Sequence, residues 1–128
     1  MQGKGKNAQM SAKHVLIVED ERPLAHALDL KLQHEGFATS VVHNGQDALD
    51  EIKKGGYDVV LLDMMMPVLD GFHVLQEVKD MPDKPVIFVL SNLSQHEDSS
   101  RVVEAGARKY FVKSDTPLSV IVEEVKNA

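Results

Sequence analysis

The sequence predicts an α/β fold in which a five-stranded parallel sheet is covered by helices on both faces. Two observations support this prediction. From His14 to the end of the chain, short apolar runs alternate with segments of helical periodicity, a pattern typical of parallel strands joined by crossover helices. The runs VVLL and VIFVL also contain no polar residue, as expected for strands buried between two helical layers.

Five runs rich in β-branched and apolar residues have the composition of strands. In chain order these runs are HVLIV at 14–18, FATSVV at 37–42, YDVVLL at 57–62, PVIFVL at 85–90 and YFVK at 110–113.

The intervening segments are predicted to be helices because their apolar residues recur on one helical face. In chain order these residues are Leu24, Ala27, Leu28 and Leu32; Ala48, Leu49 and Ile52; Phe72, Leu75 and Val78; Val102, Val103 and Ala105; and Leu118, Ile121, Val122 and Val125. The second helix follows an Asn44-Gly45 start, and the third follows Asp70-Gly71.

The length of 128 residues is typical of one domain. Residues 1–13 carry three lysines and no acid, and we interpret them as a solvated tail or a cloning remnant. Residues 14–128 are then the folded domain. Few residues follow the predicted fifth helix, so no output domain is expected within this chain.

Composition excludes several classes of function. The formal net charge of −6 disfavours nucleic acid as a partner. The absence of cysteine excludes disulfides, thiolate zinc sites and thiol nucleophiles, and it is compatible with the cytoplasm, where we expect the protein to act. No apolar run reaches the 18 residues of a membrane span, and no signal peptide is evident.

Polar residues follow four of the five predicted strands. Glu19 and Asp20 follow the first strand, Asp63 the third, Ser91 the fourth, and Lys113 ends the fifth. Each residue alone has a structural explanation, as a helix cap, a turn former or an exposed lysine. However, functional sites of parallel sheets lie at the carboxyl ends of the strands, so their joint occurrence favours a site.

The residue types at this edge suit phosphoryl chemistry. Carboxylates about 4 Å apart repel by roughly 4 kcal/mol at an effective dielectric near 20, so either their pKa values rise or a cation joins them. An all-oxygen ligand set favours Mg²⁺. Asp63 would then be a nucleophile that forms an aspartyl phosphate, with Lys113 and Ser91 contacting the phosphoryl oxygens.

Four segments together resemble the receiver domain of two-component response regulators over residues 14 to 126. They are VLIVEDE at 15–21, DVVLLDMMMPVLDG at 58–71, VLS at 89–91 and GARKYFVK at 106–113. The resemblance implies a doubly wound (βα)₅, flavodoxin-like three-layer sandwich with strand order 2-1-3-4-5. It also implies that Asp63 accepts a phosphoryl group from a phosphohistidine of a sensor histidine kinase or a histidine phosphotransfer protein.

The resemblance further implies a metal site. Asp20 and Asp63 would bind Mg²⁺ directly, Glu19 would bind it through water, and Met65 would contribute its backbone carbonyl. Mn²⁺ is the alternative ion.

The resemblance also implies a switch. Ser91 and Lys113 would hold the phosphoryl oxygens, Ser91 would move toward them, and Tyr110 would turn inward. The change would be read on the face made by the fourth helix, the fifth strand and the fifth helix, by an unknown downstream protein or by a second copy of the chain. Such a receiver is a signalling protein that catalyses only its own phosphorylation and slow dephosphorylation.

Three departures from the family pattern lead to expectations. Ser114 follows Lys113 where the family usually has proline, often with a cis bond, which leaves the conformation of that bond open. Met65 and Leu93 stand where polar residues often promote hydrolysis, so we expect slow loss of the phosphoryl group. Glu19 replaces the commoner Asp and should still reach a metal-bound water.

Three other functions compete with a signalling receiver. An Asp-nucleophile phosphatase needs a second acid two residues after its nucleophile to protonate the leaving group, and here that residue is Met65. A flavodoxin-like nucleotide or flavin binder needs a Gly-rich or Ser/Thr-rich phosphate loop after the first strand, where this chain has Glu-Asp-Glu. An inactive pseudo-receiver that serves only as an interaction module would lack one of the five key side chains, and none is missing.

Overall fold

The computed structural model describes residues 13–64, 69–92 and 96–128, with the backbone alone for 96–99. These residues alternate between five strands and five α-helices, as predicted. The elements are β1 (His14–Val18), α1 (Arg22–His34), β2 (Ala38–Val42), α2 (Gly45–Lys54), β3 (Val59–Asp63), α3 (Gly71–Lys79), β4 (Val86–Ser91), α4 (His96–Glu104), β5 (Lys109–Val112), a 3₁₀ turn (Lys113–Asp115) and α5 (Leu118–Lys126).

The strands form one parallel sheet in the order β2-β1-β3-β4-β5, which confirms the doubly wound topology. Strand order reverses between β1 and β3, and in such sheets ligands bind at that point, beyond the carboxyl ends of the strands. Val18 of β1 pairs with Leu62 of β3, and Asp63 pairs with Leu90 of β4. The three central strands therefore end nearly level, at one edge of the sheet.

Two apolar cores lie on opposite faces of the sheet because successive strand residues point to opposite sides. Helices α1 and α5 cover one core, and α2, α3 and α4 cover the other. The buried helix residues of the first core are Ala25, Leu28, Leu32, Ile121, Val122 and Val125. Those of the second core are Ala48, Leu49, Ile52, Val74, Leu75, Val78 and Val102. Among the described residues, no helix has the length and apolar composition needed to cross a membrane.

Two residues predicted on buried helix faces, Val103 and Ala27, are not among the buried residues. Val103 was expected on the buried face of the fourth helix, but its side chain is 48% exposed, whereas Val102 is fully buried. Consecutive helix residues point about 100° apart, so Val102 faces the sheet and Val103 faces outward. In α1, similarly, Ala25 is buried where Ala27 was expected.

Side-chain caps begin the second and third helices, at the residue pairs that marked their starts in the sequence. The Asn44 side chain accepts a hydrogen bond from the Asp47 backbone N–H at 2.8 Å, and Asp70 accepts one from the His73 N–H at 3.0 Å. Each bond satisfies a backbone donor that the first helical turn leaves free.

Gly45, the first residue of α2, allows the backbone of Leu69, two residues before α3, to pass close to the helix. A Cβ atom at this position would lie 2.0 Å from the backbone oxygen of Leu69. Only glycine fits such an approach, because a side chain here would have to displace the Leu69 backbone.

The predicted tail lies outside the described residues except for Lys13. Its ammonium donates hydrogen bonds to the backbone oxygens of Val125, at 3.2 Å, and Lys126, at 3.3 Å. These carbonyls belong to the last turn of α5, where a cation is favourable.

Candidate functional site

Three acidic side chains meet at the carboxyl ends of β1 and β3. Because Val18 pairs with Leu62, the residues that come next, Glu19 and Asp63, lie close together. One carboxylate oxygen from each of Glu19, Asp20 and Asp63 lies within 4.8 Å of the other two. Glu19 and Asp63 are buried, while Asp20 is exposed. The structure therefore brings together the three acids that the sequence placed at this edge.

Lys113, at the end of β5, reaches this cluster. Its Nζ lies 2.8 Å from Oε1 and 3.0 Å from Oε2 of Glu19, and 3.1 Å from Oδ2 of Asp63. The three side chains are only 9%, 1% and 2% exposed, respectively. Buried charges are tolerated when they are paired and hydrogen-bonded, and here one ammonium pairs with two carboxylates.

The pKa of Lys113 reflects competing effects. Burial by itself lowers the pKa because a low dielectric disfavours the charged ammonium. The hydrogen bond to Glu19 and the negative charges of Asp63 and Glu19 act in the opposite direction and prevail, so the pKa of Lys113 lies above its ordinary value. Lys113 is therefore a cation throughout the neutral pH range.

Backbone contacts hold Glu19 in place. Its N–H donates to the Val42 carbonyl at 3.1 Å, and its carbonyl accepts from Nδ1 of His43 at 2.9 Å. A carbonyl oxygen can only accept, so Nδ1 carries the hydrogen. The Glu19 side chain accepts at Oε2 from the Glu21 N–H at 3.0 Å. These contacts orient residues 19–21, the acidic turn, without any ligand.

The residues present fit a divalent cation. Oε1 of Glu19 is buried and accepts no hydrogen bond from the described residues. Its contact with Lys113 Nζ, at 2.8 Å, is an ion pair. A buried acceptor in this position is costly unless a further donor or cation engages it. The neighbouring donor atoms of Asp20 and Asp63 are also carboxylate oxygens, the ligands that hard divalent ions prefer.

Ser91 lies at the same edge of the sheet. It is the last residue of β4, is fully buried, and pairs with Val112, the residue before Lys113. The preceding residue of β4, Leu90, pairs with Asp63. Ser91 thus occupies the strand between those that carry Asp63 and Lys113.

Tyr110 is the remaining predicted site residue that the structure describes. Tyr110 pairs with Val89 in the sheet and lies half-buried against the core on the α2, α3 and α4 side. Met65, the expected backbone ligand, lies outside the described residues. Leu93, its partner in the expectation of slow phosphoryl loss, does so as well.

The bond between Lys113 and Ser114 is trans, since the described residues contain no cis peptide bond. The two residues belong to the 3₁₀ turn that follows β5. Serine in place of the family's proline is thus accommodated by an ordinary turn.

Two contributors to the site were not predicted from the sequence. Glu21 places Oε1 3.4 Å from Lys113 Nζ, and its position beside Glu19 and Asp20 in the sequence was the available signal. His43 follows β2, the one strand whose end the prediction omitted. Examining the residue after β2, as was done for the other strands, would have identified His43.

Comparison with known families agrees with the fold. The family model described as the response regulator receiver domain matches residues 15–125. The chain therefore belongs to the response regulator receiver domain family.

Individual relatives support this assignment. The transcriptional regulatory protein YkoG of Bacillus subtilis is 36% identical over 104 residues, which are 81% of this chain and 46% of YkoG. The response regulator ArlR of Staphylococcus aureus is 34% identical over 99 residues, 77% of this chain and 45% of ArlR. The chain thus spans a little under half the length of these two relatives. Among solved structures, the receiver domain of the Francisella response regulator 1452 superposes with a TM-score of 0.82 at 27% identity, covering 90% of this chain and 97% of that one.

Proposed function

We propose that the chain is the phosphoacceptor of a two-component phosphorelay, in which Asp63 receives a phosphoryl group from a phosphohistidine. The donor would be a sensor histidine kinase or a histidine phosphotransfer protein. The observation that carries the proposal is the contact of Asp63 Oδ2 with Lys113 Nζ at 3.1 Å, inside a cluster of three carboxylates. Membership of the receiver family supports it.

In the proposed reaction a carboxylate oxygen of Asp63 forms a bond to phosphorus. The phosphorus–nitrogen bond of the donor breaks, and the imidazole leaves with the electron pair. The ammonium of Lys113 already lies beside Asp63, where it would contact the phosphoryl oxygens and stabilise their charge. The hydroxyl of Ser91, on the neighbouring strand, would donate a hydrogen bond to another of these oxygens.

Mg²⁺ is the proposed metal, with Mn²⁺ as the alternative. Asp20 and Asp63 would hold it directly, Glu19 through water and Met65 through its backbone carbonyl. When bound, the ion supplies positive charge to the crowded carboxylates and to the phosphoryl oxygens.

The proposed output is a change of the face formed by α4, β5 and α5, with Ser91 and Tyr110 as the switch residues. Among the described residues of these elements, Val103 on α4 and Val120 on α5 are apolar side chains with 48% and 43% exposure. Lys109 of β5 forms an ion pair of 2.9 Å with Glu124 of α5. A downstream protein or a second copy of the chain would bind there, and the change is a two-state shift biased by the phosphoryl charge.

The direct test is intact-mass measurement after incubation with Mg²⁺ and the small phosphodonors acetyl phosphate and phosphoramidate. We expect one added phosphoryl group in the wild-type protein and none in Asp63→Asn or in the presence of EDTA. Asp58→Asn is the matched control, since Asp58 precedes β3 at the opposite edge of the sheet, and it should be modified like the wild type.

Failure of the wild-type protein to gain a phosphoryl group from either donor would refute the proposal, and so would either of two further results. One is a phosphoryl group that still appears in Asp63→Asn. The other is continuous release of many phosphates per chain, which would instead identify a phosphatase.

A further inference from the structure

Glu21 occupies the N-cap position of α1 without serving as a side-chain cap. Its carboxylate accepts no capping hydrogen bond, and it lies instead 3.4 Å from the ammonium of Lys113. The Glu21 side chain is 55% exposed, whereas that of Lys113 is 9% exposed. Glu21 therefore lies at the solvent-exposed opening of the site, its mouth, between solvent and the buried lysine.

The backbone of Glu21 has structural roles that do not need its charge. Its N–H donates to Glu19 Oε2 at 3.0 Å, and its carbonyl accepts the Ala25 N–H at 3.0 Å. Both contacts would persist if the carboxylate became an amide. The charge of Glu21 can thus be removed without removing what holds the acidic turn.

The charge balance at the mouth is negative. Within the part of the chain that the structure describes, four carboxylates, those of Glu19, Asp20, Glu21 and Asp63, lie around the ammonium of Lys113. The neighbouring guanidinium of Arg22 contacts His43 Nε2 at 3.3 Å, on the β2 side. With a dication in the acidic cluster, these five groups and the ion carry one net negative charge, and the exposed carboxylate of Glu21 contributes to it.

We propose that Glu21 is a specificity-determining residue that selects phosphodonors by charge, disfavouring dianionic small molecules relative to donors that carry a positive group beside phosphorus. This inference rests on the proposed function of Asp63. The incoming phosphoryl oxygens need the ammonium that Glu21 also contacts, and like charges at the entrance slow association.

The step that Glu21 influences is the same for every donor. A carboxylate oxygen of Asp63 forms the bond to phosphorus, and the bond to the leaving group breaks with its electron pair. Acetyl phosphate is a dianion at neutral pH and releases acetate. Phosphoramidate carries one net negative charge, because its nitrogen is protonated, and it releases ammonia. A protonated phosphohistidine resembles phosphoramidate in having its positive charge next to phosphorus.

The test compares initial rates of phosphorylation by acetyl phosphate and by phosphoramidate at equal ionic strength and saturating Mg²⁺. We expect Glu21→Gln to raise the acetyl phosphate rate by about three- to tenfold and the phosphoramidate rate by less than about twofold. The gain should shrink in about 1 M salt, where charges are screened over about 3 Å. Glu21→Asp keeps the charge and should keep the wild-type ratio of the two rates.

Glu104→Gln is the matched control, because it removes one exposed charge at the end of α4, at the opposite edge of the sheet. Its two rates should equal those of the wild type. Unchanged rates in Glu21→Gln, or equal gains with both donors, would overturn the inference and leave the proposed function intact. No modification of the wild type by either donor would instead overturn the proposed function.

Discussion

Glu19 and Lys113 are 94 residues apart in the chain, yet both carboxylate oxygens of Glu19 lie within 3.0 Å of the Lys113 ammonium. Glutamate has one methylene more than the aspartate common at this position in the family, and here its carboxylate reaches the lysine directly. The contact links the end of β1 to the end of β5 across β3 and β4. Lys113 therefore offsets part of the negative charge of the acidic cluster without a ligand.

Removing Lys113 should destabilise the protein in the absence of divalent ions. In Lys113→Met, the buried carboxylates of Glu19 and Asp63 lose their cation, and we expect a loss of about 2 kcal/mol, between the values for exposed and buried pairs. Added Mg²⁺ should recover more stability in this variant than in the wild type. Urea unfolding in EDTA and in Mg²⁺ measures both effects.

Lys53→Met serves as the control for this comparison, since Lys53 is an exposed residue near the end of α2. Exposed substitutions usually change stability by less than about 0.5 kcal/mol. Equal losses in the two variants would show that the pairing of Lys113 contributes nothing.

The stability of the folded protein at high pH should depend on the same ion pairs of Lys113. The pKa of Lys113 is raised in the folded state, so the folded protein retains a proton that the unfolded chain loses near pH 10.4. The contribution of Lys113 is complete below this pH and is lost as pH rises through the raised pKa. In EDTA, the difference in unfolding free energy between wild type and Lys113→Met should therefore shrink above about pH 10.4. A difference that stays constant to higher pH would contradict the assignment.

Gly45→Ala should destabilise the protein although alanine is the better helix former. Alanine is favoured over glycine by up to about 1 kcal/mol in a helix, but a Cβ atom here would lie 2.0 Å from Leu69 O. Displacing that backbone should cost about 1–3 kcal/mol and weaken Mg²⁺ binding, since Leu69 lies on the connection that follows Asp63. Urea unfolding and calorimetric Mg²⁺ titration measure the two effects.

The neighbouring exposed position provides the control for Gly45. Gln46→Ala changes the same helical turn without approaching Leu69, and it should alter stability by less than about 0.5 kcal/mol. If Gly45→Ala were as stable as the wild type, the close approach would have no energetic role.

Much of the fold could be predicted from the sequence because it depends on local signals. The apolar run at 14–18 coincides with β1, and α2 and α3 begin at the Asn44-Gly45 and Asp70-Gly71 pairs as expected. Local periodicity was less informative where two adjacent apolar residues compete for one inward position. Val102 and Val103 look alike in the sequence, and only packing against the sheet distinguishes them.

The sequence by itself determined which residues stand at the carboxyl ends of the strands, because strand boundaries follow from composition and the parallel arrangement aligns those ends. Only the tertiary structure decided how the side chains share charge. It showed that Lys113 pairs with Glu19 as well as Asp63, that Glu21 turns from its helix toward Lys113, and that His43 holds the Glu19 carbonyl. Such contacts join residues distant in the chain, and their geometry depends on side-chain length, burial and register together, which no local pattern encodes.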